Sequence, residues 1–197
     1  MALHHSRMRI LKKMSQPDLW MVIPTADRSK YIPEIVAQSG IPRNKIVIIS
    51  TSETVYPDVC NLDSYEFNIY KWWNMGIDYA KKRGATHVAI LNDDVVLRDR
   101  PLQKIAKAMV EEDATIGYPV PASSDPCGYC FILNLEHDIR PDDMYVWWYG
   151  DNDLYERSKK TIGVPASVQH MEPNRLTSEN ESIMAYTKWD KIRWNNR

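Results

Sequence analysis

Two adjacent carboxylates, Asp93 and Asp94, follow a short apolar run and are preceded by Asn92. Neighbouring acidic groups repel each other, so a cation or bulk water must compensate their charge. A hard divalent ion with oxygen ligands suits such a pair, and an ion of this kind also binds phosphate. The alternative is a solvated turn in which an aspartate caps the next element. The triplet is the first candidate for a metal and phosphate site.

A second acidic cluster is the sequence GDND at residues 150–153. Asp153 precedes Glu156 by three residues, which is the pattern of a helix N-cap with its capping box. We therefore predict a short helix over 154–160, capped by Asp153, with Asp151 outside it. An acid that has no structural role in the pattern is the better candidate for a general base that takes a proton from a hydroxyl. Asp151 is the predicted base.

His170 and the Cys127–Cys130 pair have weaker patterns. A lone histidine is more often structural than a ligand, and only a partner such as Asp94 would favour a ligand role for His170. Cys-x-x-Cys spacing occurs in zinc and redox sites, but no second ligand pair is present and Cys60 stands alone. We predict that these cysteines are small, partly buried residues.

Short strands alternate with amphipathic helices through the first half of the chain. Apolar, β-branched runs predict strands, and apolar residues three and four apart predict helices. The predicted strands are 19–25, 45–51, 86–91, 116–120 and 129–135, and the predicted helices are 29–39, 69–80 and 101–110. Residues 52–67, which include Pro57 and Asn61, are predicted to be irregular.

This alternation predicts an α/β fold with a mainly parallel central sheet flanked by helices. In open sheets of this kind, ligands bind at the carboxyl ends of the strands. That rule points to residues 25–28, 51–53 and 92–94. The acidic triplet directly follows a predicted strand, so we expect it at this edge of the sheet.

Composition limits the function classes. The 197 residues fit one domain, with 25 Lys and Arg against 26 Asp and Glu and a formal net charge of −1. That balance excludes a polybasic nucleic-acid coat, and no apolar run approaches the roughly 20 residues of a membrane span. We expect a cytoplasmic protein without a membrane partner, with a basic N-terminal extension (1–18) and a polar tail (176–197). The tail interleaves tryptophans with lysines and arginines, which suits either a polyanionic acceptor or a solvated face.

These features, in this order, resemble the GT-A-fold glycosyltransferases, and are most similar to the family 2 type. The resemblance covers about residues 19–175. It rests on four blocks: IPTADR (23–28), NMGIDYAKKRGATHVAILNDDVVL (74–97), WWYGDNDLYER (147–157) and His170. It implies a single GT-A, Rossmann-like domain with a nucleotide-sugar half over about 19–100 and an acceptor half over about 101–175.

The resemblance also implies a role for each matched residue. The residues placed in the nucleotide pocket are Pro24, Thr25, Ala26, Asp27, Thr51 and Glu53. Asn74 and Gly76 match the Asn-x-Gly element of the family, which lies beneath the nucleotide. Asn92 and Asp93 match the start of its DxD motif, with Asp93 near the ribose or donor sugar. Asp94 and His170 would bind the metal, and Asp151 would be the catalytic base. Asn92 stands where relatives have Asp, Trp73 where they have Arg, and Gly150 where they have Glu.

The implied activity is metal-dependent, inverting transfer of a sugar from a nucleotide-diphosphate donor to an acceptor hydroxyl. We expect Mn²⁺ or Mg²⁺ as the cofactor and a UDP-sugar as the donor, with a hydroxymethylated base in viral DNA or a saccharide as the acceptor. A nucleotidyltransferase is an alternative, although the segment TADRSK (25–30) has no glycine with which to form a phosphate loop. A non-catalytic sugar- or nucleic-acid-binding module is the other alternative.

Overall fold

The computed structural model describes residues 16–26, 30–51, 54–64, 66–120, 128–171 and 181–197. Three residues named above, Asp27, Glu53 and Cys127, lie outside the described residues. So does most of the predicted N-terminal extension.

Nine strands and five α-helices make up the described part of the chain. The strands are β1 (Leu19–Thr25), β2 (Ile46–Ser50), β3 (Cys60–Asp63), β4 (His87–Leu91), β5 (Val95–Arg98), β6 (Ile116–Val120), β7 (Cys130–Asn134), β8 (Thr161–Pro165) and β9 (Ser167–His170). The helices are α1 (Ile32–Ser39), α2 (Ile69–Lys81), α3 (Pro101–Glu112), α4 (Gly150–Arg157) and α5 (Glu181–Asn195). Within these ranges, no helix has both the length and the apolar character needed to cross a membrane.

Seven strands form one sheet in the order β3-β2-β1-β4-β7-β6-β8. The pairs β2–β3, β1–β2, β1–β4 and β6–β8 are parallel, whereas β7 runs antiparallel to both of its neighbours. The predicted mainly parallel sheet is therefore confirmed. Strands β5 and β9 form a separate antiparallel ribbon, which the sequence reasoning missed.

Helices cover both faces of the sheet, as predicted. Along β1, Met21 and Ile23 pack on the side of α1 and α3, whereas Trp20 and Val22 pack on the side of α2 and α4. A strand that is buried on both faces needs apolar residues at consecutive positions, because no position faces water. This explains the continuous apolar runs from which the strands were predicted.

Three sequence predictions are corrected by the structure. The segment 52–67 contains the edge strand β3, which pairs in parallel with β2 although its sequence, CNLD, has little β propensity. Helix α4 spans Gly150–Arg157, so Asp153 is not its N-cap; Tyr149 occupies that position. Asp151 therefore lies in the first turn of the helix, not before it.

The tail, whose structure the sequence left open, contains the fifteen-residue helix α5.

His87 is a buried ionisable residue at the amino end of β4, the edge opposite the predicted site. Its ring Nδ1 lies 3.0 Å from the Thr86 hydroxyl, and its Nε2 has no hydrogen-bond partner among the described residues. Burial lowers the pKa of His87 to about 4, against a smaller opposing effect of Glu136. The folded protein therefore holds this imidazole neutral.

This burial predicts a loss of stability in mild acid. Between pH 6.5 and about 4 the unfolded chain takes up a proton that the folded chain excludes, so the free energy of unfolding falls as the pH falls. At 1.36 kcal/mol for each pH unit, the loss attributable to His87 is roughly 3 kcal/mol. Urea unfolding at several pH values measures it, and His87→Gln should flatten the slope. An equal slope in the variant would contradict the assignment.

Candidate functional site

The carboxyl ends of β1, β2 and β4 meet at one edge of the sheet, because these three strands are parallel neighbours. Strand β7 is antiparallel and pairs Cys130 with Leu91, so it begins at the same edge. The backbone N–H of Asn92 donates to the Tyr129 carbonyl at 2.9 Å, which ties the acidic triplet to the start of β7. The edge predicted from the strand order is therefore where these residues meet.

Thr25 and Asp93 meet at the centre of this edge. The Thr25 hydroxyl donates to Asp93 Oδ2 at 2.7 Å, and both residues are buried. The bond joins the ends of two neighbouring parallel strands, 68 residues apart in sequence. Pro24 is buried beside Thr25, Ala26 is half-buried, and Thr51 is exposed just past the end of β2.

Asp94 and His170 are brought together by the β5–β9 ribbon. Val95 pairs with His170, and the Met171 N–H donates to the Asp94 carbonyl at 2.9 Å. This register places His170 Nε2 3.0 Å from Asp94 Oδ1. The Tyr129 ring stacks on the imidazole, with centroids 4.8 Å apart and planes 12° apart. The partner that a ligand role for His170 required is present.

Asp151 reaches the same neighbourhood through Gly128. A Cβ built on Gly128 would lie 2.5 Å from Asp151 Oδ2, so this carboxylate occupies the space that any other side chain at position 128 would fill. Gly128 directly precedes Tyr129, whose ring stacks on His170. An unbroken series of contacts thus runs from the Asp94–His170 pair to Asp151.

The surroundings of Asp151 raise its pKa above the ordinary aspartate value. The residue is half-buried in the first turn of α4, and its Oδ1 accepts the Asn152 N–H at 3.0 Å. Burial raises the pKa of Asp151, while the backbone N–H groups of the helix start and the Tyr70 hydroxyl oppose that shift. A carboxylate with a raised pKa is a better proton acceptor than a solvated aspartate.

Tyr70 is a site residue that sequence reasoning missed. Its hydroxyl donates to the Trp147 carbonyl at 3.1 Å and accepts the Gly150 N–H at 3.0 Å. A Cβ on Gly150 would lie 2.5 Å from the Tyr70 ring, so the helix that carries Asp151 begins directly on this ring. In the sequence Tyr70 fits the apolar face of α2, and only its hydroxyl could have suggested a further role.

Asn74 and Gly76 have packing contacts away from the acidic residues. A Cβ on Gly76 would lie 2.4 Å from Val22 Cγ1 and 3.1 Å from Ile49 Cδ1, so this glycine allows α2 to approach the sheet closely. Asn74 Nδ2 donates to the Pro141 carbonyl at 3.0 Å. Trp73 is buried against Tyr70 and Phe131. None of these contacts brings Asn74 or Gly76 to the Asp94–His170 pair, and their nucleotide role stays a prediction.

The residues at the edge fit a divalent metal in part. A carboxylate oxygen and an imidazole nitrogen 3.0 Å apart are suitable ligands for Mn²⁺. The described ranges contain no group of three or more His, Cys, Asp or Glu side chains arranged to hold a metal. A metal at Asp94 and His170 would therefore complete its coordination with oxygens from water or from a bound phosphate, as Mg²⁺ and Mn²⁺ sites in phosphate-binding proteins commonly do.

The fold and this edge define a class: the chain has a GT-A-like α/β fold. Similar solved structures include the mannosyltransferase PcManGT from Pyrobaculum calidifontis in complex with GDP-Man and Mn²⁺, at a TM-score of 0.58 and 14% identity, covering 83% of this chain and 62% of that chain. S. aureus TarS 1–349 in complex with UDP-GlcNAc has a TM-score of 0.59 and 13% identity, covering 89% and 66%.

A structure of S. aureus TarS has a TM-score of 0.58 and 12% identity, covering 79% of this chain and 37% of that chain. The chain thus spans between 37% and 66% of the length of these structures. At this identity the similarity shows the fold alone. No protein-family model matches the chain, and no curated protein sequence matches it.

Packing at Gly76 can be separated from nucleotide binding by substitution. Gly76→Ala should lower the free energy of unfolding by about 1–3 kcal/mol, because its methyl group overlaps Val22. In a Val22→Ala background the added cost should shrink, because the overlapping methyl groups are gone. Urea unfolding of both singles and the double variant measures this coupling. Reduced nucleotide affinity with unchanged stability would instead support the nucleotide role.

Proposed function

We propose that this protein is a glycosyltransferase of the family 2 type that moves a sugar from a nucleotide-diphosphate donor to an acceptor hydroxyl. The observation that carries the proposal is the series of contacts from Asp94 through His170, Tyr129 and Gly128 to Asp151. These contacts support the proposal because they connect two candidate metal ligands with a candidate base at the carboxyl edge of a GT-A-like sheet. The mannosyltransferase and TarS structures, solved with nucleotide sugars, support the same class.

On the donor side, Asp94 and His170 would hold a divalent metal, and Asp93 would stay fixed by Thr25. Such an ion neutralises negative charge on a leaving diphosphate. The buried hydroxyl–carboxylate bond fixes Asp93 before any ligand arrives, so a donor would meet a preformed edge. Pro24, Ala26, Thr51 and Asn92 surround this edge and remain candidates for contacts with the nucleotide.

On the acceptor side, Asp151 would take the proton from the attacking hydroxyl. The acceptor oxygen forms a bond to the anomeric carbon while the bond from that carbon to the diphosphate oxygen breaks, and the proton remains on the Asp151 carboxyl. Attack from the side opposite the leaving group inverts the anomeric configuration. We propose a UDP-sugar as the donor, with a saccharide or a hydroxymethylated DNA base as the acceptor.

The first prediction concerns the metal. UDP or GDP should bind the wild-type protein more tightly with Mn²⁺ than without it, and Asp94→Ala or His170→Ala should remove that gain. Calorimetric titration measures both affinities. Glu111→Ala is the control, because this exposed carboxylate lies in the last turn of α3, away from the site. Diphosphate binding that is equally tight without metal in the wild type would contradict the assignment.

The second prediction concerns Asp151. Asp151→Asn should preserve diphosphate binding and lower transfer or donor hydrolysis by a factor of roughly 10² to 10⁴, the range for general-base loss. Because burial raises the pKa of Asp151, wild-type kcat should fall on acidification at a pH above the ordinary aspartate range. Release of UDP or GDP from the donor measures this rate. Unchanged turnover in the variant would reject Asp151 as the base.

The same variant has a stability readout. With a folded-state pKa above the unfolded value, the wild-type protein loses folding free energy as the pH rises through that interval, because the charged form is disfavoured by burial. Asp151→Asn lacks the charge, so its free energy of unfolding at pH 7 should equal or exceed that of the wild type. A strongly destabilised variant would show that Asp151 has a structural role.

A further inference from the structure

Helix α5 holds the segment 143–149, which leads into the helix carrying Asp151. Asp190, on this helix, is completely buried. Its carboxylate accepts three consecutive backbone N–H groups: Val146 at 3.1 Å, Trp147 at 2.9 Å and Trp148 at 2.9 Å. Three amides that converge on one anion fix the local backbone, because each hydrogen bond has a directional requirement and a charged acceptor strengthens it.

The negative charge of Asp190 is compensated mainly by these amides. The nearest cationic group in the described part of the chain, Arg193, lies 3.8 Å from Asp190 Oδ1 and also hydrogen-bonds the Met144 carbonyl. A buried carboxylate without its donors would be strongly unfavourable, and three buried amides without an acceptor would be unfavourable as well. Helix α5 and the segment 143–149 therefore stabilise each other.

The opposite side of the segment is held by the start of α2. The Asn68 side chain donates to the Asp143 and Tyr145 carbonyls at 3.1 and 3.0 Å, and the Ile69 N–H donates to the Val146 carbonyl at 3.0 Å. Asn68 also caps α2, so its amide serves two elements at once. The segment is thus bonded to α2 on one side and to α5 on the other.

Helix α5 and the residues that follow it also contact the residues on either side of Asp151. Tyr149, in a left-handed conformation with φ of 64°, stacks on Trp194 at 5.5 Å between centroids. Arg197 donates to Asp153 at 3.2 Å and to Glu156 at 2.6 Å. Contacts from α5 and from Arg197, two residues past its end, thus lie on both sides of Asp151, and none of the described contacts joins α5 to Asp151 itself.

We infer that Asp190 is a positioning residue for the base: it fixes residues 146–148 and thereby places the Asp151 carboxylate against Gly128. The inference rests on the proposed function for the role of Asp151. It needs no contact between α5 and the substrate. The Asp94–His170 pair lies on β4–β5 and β9 and has no bond from α5 among the described contacts, so loss of Asp190 should leave donor binding intact.

The test uses the full chain with Asp190→Ala, Asp190→Asn and the control Lys191→Ala, the exposed next residue of the helix. Amide hydrogen exchange at 146–148 should be at least about tenfold faster in Asp190→Ala, while amides of β1 and β4 keep wild-type rates. With Mn²⁺ and UDP-GlcNAc or GDP-mannose as probes, kcat for diphosphate release should fall by roughly 100-fold with KM unchanged. Asp190→Asn keeps one acceptor oxygen and should be intermediate in both readouts.

Each outcome of these measurements either supports or overturns the positioning role of Asp190. Unchanged exchange at 146–148 in both Asp190 variants would overturn the inference, whatever the turnover. Faster exchange with wild-type kcat would overturn it too, because the segment would then not position the base. A parallel loss of diphosphate affinity and kcat would show a general structural role instead. If the wild-type protein neither binds diphosphate nor turns over a donor, the proposed function fails, and the exchange rates still decide whether Asp190 fixes the segment.

Discussion

The arrangement of the site depends on the compensation of buried carboxylates. Among the described residues, four aspartates are less than a tenth exposed: Asp93, Asp94, Asp153 and Asp190. A buried carboxylate is tolerated only when hydrogen bonds or opposite charges replace the water it has lost. Each of the four has at least one partner distant in sequence, although Asp153 also bonds Arg157 on its own helix, so each fixes a long-range contact. The partners are a threonine hydroxyl, an imidazole, two guanidinium groups and three backbone amides.

These four contacts fall into two groups with different consequences. Asp93 and Asp94 join the ends of β1, β4 and β9 into a polar edge, which is the donor site in the proposed function. Asp190 joins α5 to residues 146–148, which lead into α4, and Asp153 joins α4 to Arg197, just past the end of α5. Asp151 differs from all four because it is only half-buried and its pKa is raised. A carboxyl group with a raised pKa is better suited to accept a proton from a hydroxyl than a solvated aspartate is.

Much of the site could be predicted because its residues follow elements with strong local signals. Apolar runs identified β1, β2 and β4, and the rule for open sheets placed Thr25 and the acidic triplet at one edge. The structure confirms that edge. The weaker predictions concern short or polar elements: the segment that contains β3 is predicted to be irregular, α4 begins four residues and ends three residues before its predicted bounds, and the β5–β9 ribbon is not predicted. The spacing of Asp153 and Glu156 fits a capping box, yet the Asp153 carboxylate forms ion pairs with Arg157 and Arg197 instead.

By itself, the sequence determined the α/β class, the order of the main strands along the chain and the sheet edge that carries the candidate site. These features could be predicted because hydrophobic period and strand order are local or nearly local properties. The tertiary structure alone decided the partners. The 76-residue separation of Asp94 and His170 is closed by the register of one two-stranded ribbon. The link from Gly128 to Asp151 depends on the absence of a side chain. Asp190 reaches three amides more than forty residues earlier. Such contacts satisfy groups hidden from water, and which groups are hidden is known only once the chain has folded.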